Sequence, residues 1–96
     1  MPLALSFNEE DDFYVGEFKF VLKKVISAKQ AIVTVDETDD YFIVDDRSVE
    51  VRPNILLSIG RVPDTGMIRL LITAPRELEI VRGSVLRRGR EYDEHV

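Results

Sequence analysis

The stretch "EFKFVLKKVISAKQAIVTV", residues 17–35, decides the fold class of this chain. In residues 17–25 and again in residues 31–35, apolar side chains alternate with others at a period of two, as in β-strands that bury one face. The intervening "SAKQ" turns the chain back on itself. Because β-branched and aromatic residues dominate both runs, the stretch predicts an antiparallel hairpin.

A second hairpin of the same design follows 37 residues later. Residues 54–62 and 67–73 alternate in the same way, and "PDTG" at residues 63–66 supplies the Pro and Gly of a turn. The offset places four apolar residues of the first hairpin on four of the second, namely Phe18, Phe20, Leu22 and Val25 on Ile55, Leu57, Ile59 and Val62. This retained spacing favours an internal repeat.

Shorter elements flank the two hairpins. Further strands are predicted at residues 3–7, 41–45 and 76–81, the last beginning after the Ala74-Pro75 pair. A short C-terminal helical turn is predicted around residues 84–88 with Ser84 as its N-cap, and residues 89–96 are expected to be a disordered tail. Long helical periodicity is absent, so we predict an all-β chain.

Four apolar residues lie out of phase with the predicted buried faces, namely Val21, Ile32, Leu56 and Leu71. They favour strands that are covered on both sides, as in a sandwich or an interlocked dimer. We therefore predict one compact domain over residues 1–96, built as a small sandwich or barrel of antiparallel strands.

Composition argues against an enzyme and against a metal protein. The 96 residues include no cysteine, and the only histidine is His95, so we predict no catalytic residue, no metal and no cofactor. The acidic runs at residues 9–12 and 36–40 lack a full calcium-loop pattern and are interpreted as solvated loops. No apolar run approaches the roughly 20 residues of a membrane span, and no signal peptide is recognisable, so we expect a cytoplasmic protein without a membrane partner.

The net charge of −5 conceals an uneven distribution of charge. Residues 1–48 carry five basic and eleven acidic side chains, whereas residues 49–96 carry eight basic and seven acidic ones. All eight basic residues of the second half are arginines, which contact phosphates and base edges in a bidentate manner better than lysines do. The second half is therefore the better candidate for binding nucleic acid, although the same charges also suit a solvated strand face.

A resemblance to a known family rests on the segment from Asn54 to Leu86. It contains "MIRLLITAPRELEIVRGSVL", in which an Ala-Pro pair separates two alternating runs and the second run ends in arginine. This segment resembles the carbon storage regulator (Csr/Rsm) family of small bacterial RNA-binding proteins. "FYVGEFKFVLKKV" at residues 13–25 is similar to the glycine turn and second strand of that family. The resemblance implies two family-like units in tandem, a degenerate one over residues 3–49 and a second one over residues 50–88.

Members of that family are homodimers with interlaced strands, in which the first strand of one chain lies near the fifth strand of the other. Their junction binds a GGA-containing RNA loop, so that translation is repressed or transcript stability is altered. For this chain the resemblance implies an RNA-binding post-transcriptional regulator that acts through one retained site. The residues that it assigns to this site are Arg82, Arg76, Ile80, Leu5, Ser6, Phe7, Ala74 and Pro75.

The chain departs from the family pattern in both units. Phe7 stands where the family has a basic residue, and it offers either a platform for a base or a core side chain. At the 37-residue offset, Asp45 and Asp39 occupy the positions of Arg82 and Arg76. Because carboxylates repel phosphate, we expect the first unit to have lost its RNA site.

Two questions stay open from the sequence. The strand at residues 41–45 aligns with the strand at residues 3–7, so one strand can close the first unit and open the second. The chain is then either a monomeric pseudo-dimer or a subunit of a homodimer. The alternative function is a protein-interaction module that keeps the scaffold, has lost RNA binding and pairs with a Csr-type protein through exposed strands.

Overall fold

The described residues, 3–60 and 67–85 of the computed structural model, fold into nine antiparallel β-strands. This confirms the predicted all-β class. The strands are β1 (Leu3–Phe7), β2 (Asp12–Val15), β3 (Phe18–Ser27), β4 (Gln30–Val35), β5 (Asp39–Val44), β6 (Val49–Arg52), β7 (Ile55–Ile59), β8 (Ile68–Thr73) and β9 (Ile80–Arg82). The two predicted hairpins are β3 with β4 and β7 with β8.

The strands form two sheets that exchange strands between the halves of the chain. The four-stranded sheet has the order β1-β8-β7-β6, and the five-stranded sheet has the order β5-β4-β3-β2-β9. Thus β1 leaves the first half to pair with β8, and β9 leaves the second half to pair with β2. Each sheet is therefore completed by a strand from the other half.

The 37-residue repeat recurs in the strand pairing. The pair Phe20↔Val35 between β3 and β4 has its counterpart in Leu57↔Ile72 between β7 and β8. The strands β2 and β6 also lie 37 residues apart. At the edges of the two sheets, β5 pairs with β4 in the same way as β1 pairs with β8. Only β9, which pairs with β2, has no counterpart beside β6 among the described residues.

The core lies between the two sheets and takes the inward residues of both. Aromatic side chains fill one end, where the rings of Phe7, Phe13 and Phe20 stack with centroids 4.8 and 4.9 Å apart. Aliphatic side chains fill the remainder, and fully burying each such side chain stabilises the fold by about 1.5–3 kcal/mol. The buried aliphatic residues are Val15, Leu22, Ala31, Val33, Val35, Ile43, Val51, Ile55, Leu57, Ile59, Ile68, Leu70 and Ile72.

The outward faces of the sheets are less well covered. Val21, Ile32, Leu56 and Leu71 are half-buried, and Phe42 on β5 is 50% exposed. The sheets therefore bury one face fully and the other only in part.

Two short strands were not predicted from the sequence. They are β2 and β6, each of four residues, and each precedes a turn into the next strand. Gly16 makes the first of these turns with a φ of 60°, and a Cβ there would lie 2.9 Å from Cδ2 of Leu78. Glycine thus suits the β2–β3 turn, because most side chains disfavour this φ and because a Cβ would force Leu78 to shift.

The strand predicted over residues 76–81 is wrong over residues 76–79. Leu78 N–H donates to the carbonyl oxygen of Pro75 at 3.0 Å, so the chain makes a turn after the Ala-Pro pair and β9 begins only at Ile80. Residues 83–85 form one helical turn, the described part of the predicted C-terminal turn. The predicted turn at residues 63–66 and the predicted tail at residues 89–96 lie outside the described residues.

Candidate nucleic-acid interface at the β1–β9 junction

Arg82 connects the two sheets at the end where β1 and β9 form their edges. Its Nη1 donates to the carbonyl oxygen of Ser6 at 2.8 Å. Ser6 belongs to β1 of the four-stranded sheet, and Arg82 is the last residue of β9 in the five-stranded sheet. A hydrogen bond from a charged donor in this half-buried position contributes about 1.5–3 kcal/mol, so Arg82 helps to hold the junction closed.

The same guanidinium lies over an aromatic ring. Cζ of Arg82 is 4.9 Å from the ring centroid of Phe7, within the range of a cation–π contact. Phe7 is only 1% exposed and is the first ring of the stack that continues through Phe13 and Phe20. Of the two roles left open for Phe7, the structure assigns the core role, and its face is covered by Arg82 rather than offered to a base.

A surface depression opens beside Arg82 and contains two carboxylates. It is lined by Phe7, Asp11, Asp12, Arg82 and Ser84. The guanidinium and the two carboxylates give the lining of the depression charges of both signs. It is also less attractive to phosphate than an arginine alone would be.

The loop that carries these carboxylates is anchored to its neighbours. Asn8 N–H donates to Oδ2 of Asp11 at 2.7 Å, and Leu22 N–H on β3 donates to the carbonyl oxygen of Asp11 at 2.8 Å. Glu10, with a φ of 76°, donates its N–H to the carbonyl oxygen of Leu22 at 2.7 Å. Asp11 is therefore held beside the depression by the fold.

Asp12 packs against the start of the helical turn that follows β9. A Cβ built on Gly83 would fall on the carboxylate of Asp12. A side chain at position 83 would therefore force the Asp12 carboxylate to move. The sequence predicted a solvated loop at residues 9–12 and gave neither aspartate a role in the site. The available signal was that this acidic run begins two residues after the end of β1.

The other residues assigned by the resemblance lie on the same strands or just before them. Leu5 on β1 and Ile80 on β9 are half-buried and pack against the core, as does Ala74 at the corner after β8. Pro75 is half-buried in that corner, whereas Arg76 is exposed on the turn. The fold thus brings Leu5, Ser6, Phe7, Ile80 and Arg82 to the β1–β9 junction and leaves Arg76 on the preceding turn.

The opposite junction, where β5 and β6 form the edges, is closed by a different arginine. Nη2 of Arg52 lies 2.9 Å from Oδ2 of Asp39 and 3.2 Å from Oδ2 of Asp36, and Nη1 donates to the hydroxyl of Tyr41 at 3.3 Å. Burial lowers the pKa of the Arg52 guanidinium, but hydrogen bonds to Asp39, Asp36 and Tyr41 more than offset this and hold its pKa above the ordinary value. Asp39 is thereby committed to an ion pair.

Asp45, at the repeat position of Arg82, is exposed in the bend after β5. An acid in that position cannot make the arginine contacts of the β1–β9 junction. The two junctions are therefore chemically distinct. Arg82 bonds a main-chain carbonyl at the β1–β9 junction, whereas Arg52 is paired with Asp36 and Asp39 at the β5–β6 junction.

Neither a metal site nor a membrane-spanning helix is found among the described residues. Within residues 3–60 and 67–85, no group of three or more His, Cys, Asp or Glu side chains has the geometry to hold a metal ion. Across the same residues, no helix has the length and apolar character that a bilayer crossing needs. Comparison with protein-family models, curated proteins and solved structures finds no match to this chain.

Proposed function

We propose that this chain binds single-stranded RNA at the β1–β9 junction, as a post-transcriptional regulator of the carbon storage regulator type. The observation that carries the proposal is the hydrogen bond from Arg82 to Ser6, which joins the two halves of the chain. The resemblance implies that the first strand of one unit lies near the fifth strand of the other. The pairing of β1 with the second half and of β9 with the first half supports that implication.

The chemistry of the junction suits unpaired bases more than a phosphate backbone. An RNA loop exposes base edges that backbone groups, arginine and carboxylates can pair with. Arg82 supplies donors, while the negative charge of Asp11 opposes the close approach of phosphate. We therefore expect contacts to base edges in the depression, with phosphates held nearer to the exposed Arg76.

One RNA site per chain follows from the difference between the two junctions. Asp45 replaces the arginine at the β5–β6 junction, and Asp39 is paired with Arg52. Carboxylates at both positions repel RNA, so we expect a stoichiometry of one RNA per chain.

The test measures binding of a labelled hairpin with a GGA loop to the wild type, to Arg82→Lys and to Arg82→Ala. Loss of one good base-reading contact is worth about 1–3 kcal/mol, which is roughly a 5- to 150-fold rise in Kd for Arg82→Ala. Arg82→Lys keeps the charge, so its Kd should lie between those of the wild type and Arg82→Ala. Arg47→Ala is the matched control, because Arg47 is exposed in the bend between β5 and β6.

A hairpin with the loop changed to CCA separates base recognition from general attraction to phosphate. Melting curves of each variant establish that the protein is folded at the binding temperature. Similar curves for the wild type and Arg82→Ala, or no binding of the GGA loop by the wild type in the low-micromolar range, would refute the proposal.

The two aspartates in the depression favour a second candidate, a protein-interaction module on this scaffold. Asp11 and Asp12 beside Arg82, together with the net charge of −5, suit a basic protein partner better than RNA. Capture of a defined Csr-type protein by the immobilised chain, insensitive to ribonuclease, would support this candidate. Enrichment of RNA in the same experiment would support the first.

A further inference from the structure

The outer edge of β1 lacks the features that usually keep an edge strand from pairing with another chain. These features are charged side chains, a bulge, a proline or a very short strand. β1 pairs with β8 in regular register over its whole length, and its sequence LALSF contains no charged residue and no proline. No strand within residues 3–60 and 67–85 pairs with its other edge.

The other edge strands of the two sheets each have at least one of these features. β5 begins with Asp39 and Asp40, β6 has charges at Glu50 and Arg52 with a register shift between them, and β9 has three residues and ends at Arg82. Among the sheet edges of the described residues, the edge of β1 is therefore the one without a charged side chain in its strand.

The main-chain groups of Ala4 and Ser6 point to this open edge. Gly60 N–H donates to the carbonyl oxygen of Arg69 at 2.8 Å, so the main-chain groups of Arg69 on β8 point toward β7. Ser6 lies opposite Arg69 in the β1–β8 pair, and its own groups therefore point away from β8. The hydrogen bond from Arg82 to the Ser6 carbonyl oxygen agrees with this direction. Ala4, two residues earlier in the same strand, has the same orientation.

The side chains of β1 extend an apolar row to the same edge. Leu3, Leu5 and Phe7 lie opposite buried residues of β8 and share the inner face of the sheet. Leu3 is nevertheless 43% exposed, and Ala4 is exposed on the outer face. A strand added at this edge would cover Leu3 and pair with the main-chain groups of Ala4 and Ser6.

β1 is self-complementary about Leu5. In an antiparallel pair of two copies centred on Leu5, Ala4 of each copy faces Ser6 of the other, and Leu3 faces Phe7. The residues with outward main-chain groups therefore meet and exchange both of their hydrogen bonds. The apolar row of one copy continues into that of the other, because both rows lie on the same face. A twofold contact requires such self-complementarity, and no charge within β1 opposes it.

We propose that the outer edge of β1 is a strand-addition surface for a second copy of this chain. Each copy keeps its own β1–β8 pair, and the two four-stranded sheets join into one continuous sheet across the twofold axis. A carbonyl oxygen can accept two hydrogen bonds, so the Ser6 carbonyl keeps its bond from Arg82 while it accepts from Ala4 N–H of the second copy. The contact is small, so we expect an equilibrium between one and two chains.

The pairing does not depend on the proposed RNA binding, and its test uses the chain without RNA. Ser6 belongs to both surfaces. Competition between RNA and the second copy is therefore a consequence that rests on the proposed function, whereas the pairing itself stands or fails separately.

The test measures the solution mass by sedimentation equilibrium over a wide range of protein concentration. Ala4→Pro removes the outward N–H and leaves the β1–β8 pair intact, because this N–H does not point to β8. The matched control is Ala4→Ser, which keeps the N–H and a small side chain. Ala4→Lys is a second blocking variant, in which a charge at an exposed position opposes the approach of another copy.

We expect the wild type and Ala4→Ser to rise with concentration from the mass of one chain, 11.0 kDa, toward twice that mass. Ala4→Pro and Ala4→Lys should stay at one chain, and circular dichroism establishes that each is folded. In the wild type, hydrogen exchange at the amides of Ala4 and Ser6 should slow as the concentration rises, whereas that of Leu5, which points to β8, should not change.

Three results would each overturn the proposal. They are a wild type that stays at one chain even at the highest concentration, a dimer that survives in either folded blocking variant, and growth beyond two chains. A dimer in which the amides of Ala4 and Ser6 exchange as fast as in the single chain would also overturn it.

Discussion

Arg82 and Ser6 are 76 residues apart in the sequence, yet the guanidinium of one donates to the carbonyl oxygen of the other at 2.8 Å. This contact joins the edge strands of two sheets and places the last residue of β9 over the buried ring of Phe7. The two halves of the chain are thereby locked together at one end. The same residue is both a structural tie and the centre of the proposed RNA site.

Replacing Arg82 tests its structural role separately from RNA. We expect Arg82→Ala to lower the free energy of unfolding by about 1–3 kcal/mol, because the substitution removes a charge-assisted hydrogen bond and a cation–π contact. Arg76→Ala, on the exposed turn, should change it by no more than about 0.5 kcal/mol. Urea denaturation measures the free energy of unfolding of both variants. Equal values would contradict a stabilising contact between Arg82 and Ser6.

Gly83 tests the close packing of Asp12 beside the junction. A Cβ at position 83 would fall on the Asp12 carboxylate, so we expect Gly83→Ala to destabilise the fold by about 1–3 kcal/mol as an overpacked site does. Gly60→Ala is the comparison, since its Cβ would lie 3.2 Å from the Cδ2 end of the Leu71 side chain, which can shift. Thermal melting should therefore show a larger fall in Tm for Gly83→Ala than for Gly60→Ala.

Asp11 tests whether the carboxylates of the depression restrain RNA binding. Removing one negative charge from the depression lowers the repulsion of the negatively charged RNA by about 1 kcal/mol, so Asp11→Asn should tighten RNA binding roughly fivefold. Asparagine keeps the side-chain oxygen that accepts from Asn8 N–H, so the loop should be preserved. Asp46→Asn, in the exposed bend after β5, is the control of equal charge. Weaker binding by Asp11→Asn would instead show that the carboxylate contacts the RNA as an acceptor.

Asp40 gives a prediction for the dependence of stability on pH. A hydrogen bond from Lys23 Nζ at 2.9 Å, followed by one from the Thr34 hydroxyl at 2.7 Å, holds the pKa of Asp40 below its ordinary value. The folded state therefore favours the charged carboxylate, and the resulting stability is present above the unfolded pKa and lost as pH falls through the folded pKa. The stability difference between the wild type and Asp40→Asn should be constant near neutral pH and shrink below about pH 4.

Urea denaturation of both proteins between pH 3 and pH 7 measures this difference. Lys23→Ala removes the main cause of the shift and should reduce the same pH dependence. If the stability difference between the wild type and Asp40→Asn grows as the pH falls, the lowered pKa of Asp40 is contradicted.

The hairpins could be predicted from the sequence because their signal is local. The alternation in residues 17–35 needs only the period of a strand with one buried face, and β3 and β4 are the result. The strands β2 and β6 were missed because four residues are too few for a period to stand out, and because "VEVR" mixes charges into the strand. Their strand conformation depends on pairing with β3 and β7, which the local sequence does not encode.

The two junctions differ in how far the sequence could reveal them. The proximity of Ser6 and Arg82 was predictable only through the resemblance, because strand exchange between halves leaves no local pattern. The contacts of Arg52 were not predictable at all, since they need the end of β6 and the β4–β5 turn to meet in space. Asp36 and Asp39 are solvent-exposed as expected, but Asp39 begins β5, and the ion pairs of both residues with Arg52 were not expected.

The central claim is that RNA binds where β1 and β9 meet, and amide chemical shifts of the isotope-labelled chain test it most directly. On titration with the GGA-loop hairpin, we predict shifts at Ser6, Asp11, Arg82 and Ser84, with saturation at one RNA per chain. Residues at the β5–β6 junction, such as Asp45 and Arg52, should stay unchanged. Shifts confined to the β5–β6 junction, or no shifts at Ser6 and Arg82 when RNA is in excess, would contradict the claim.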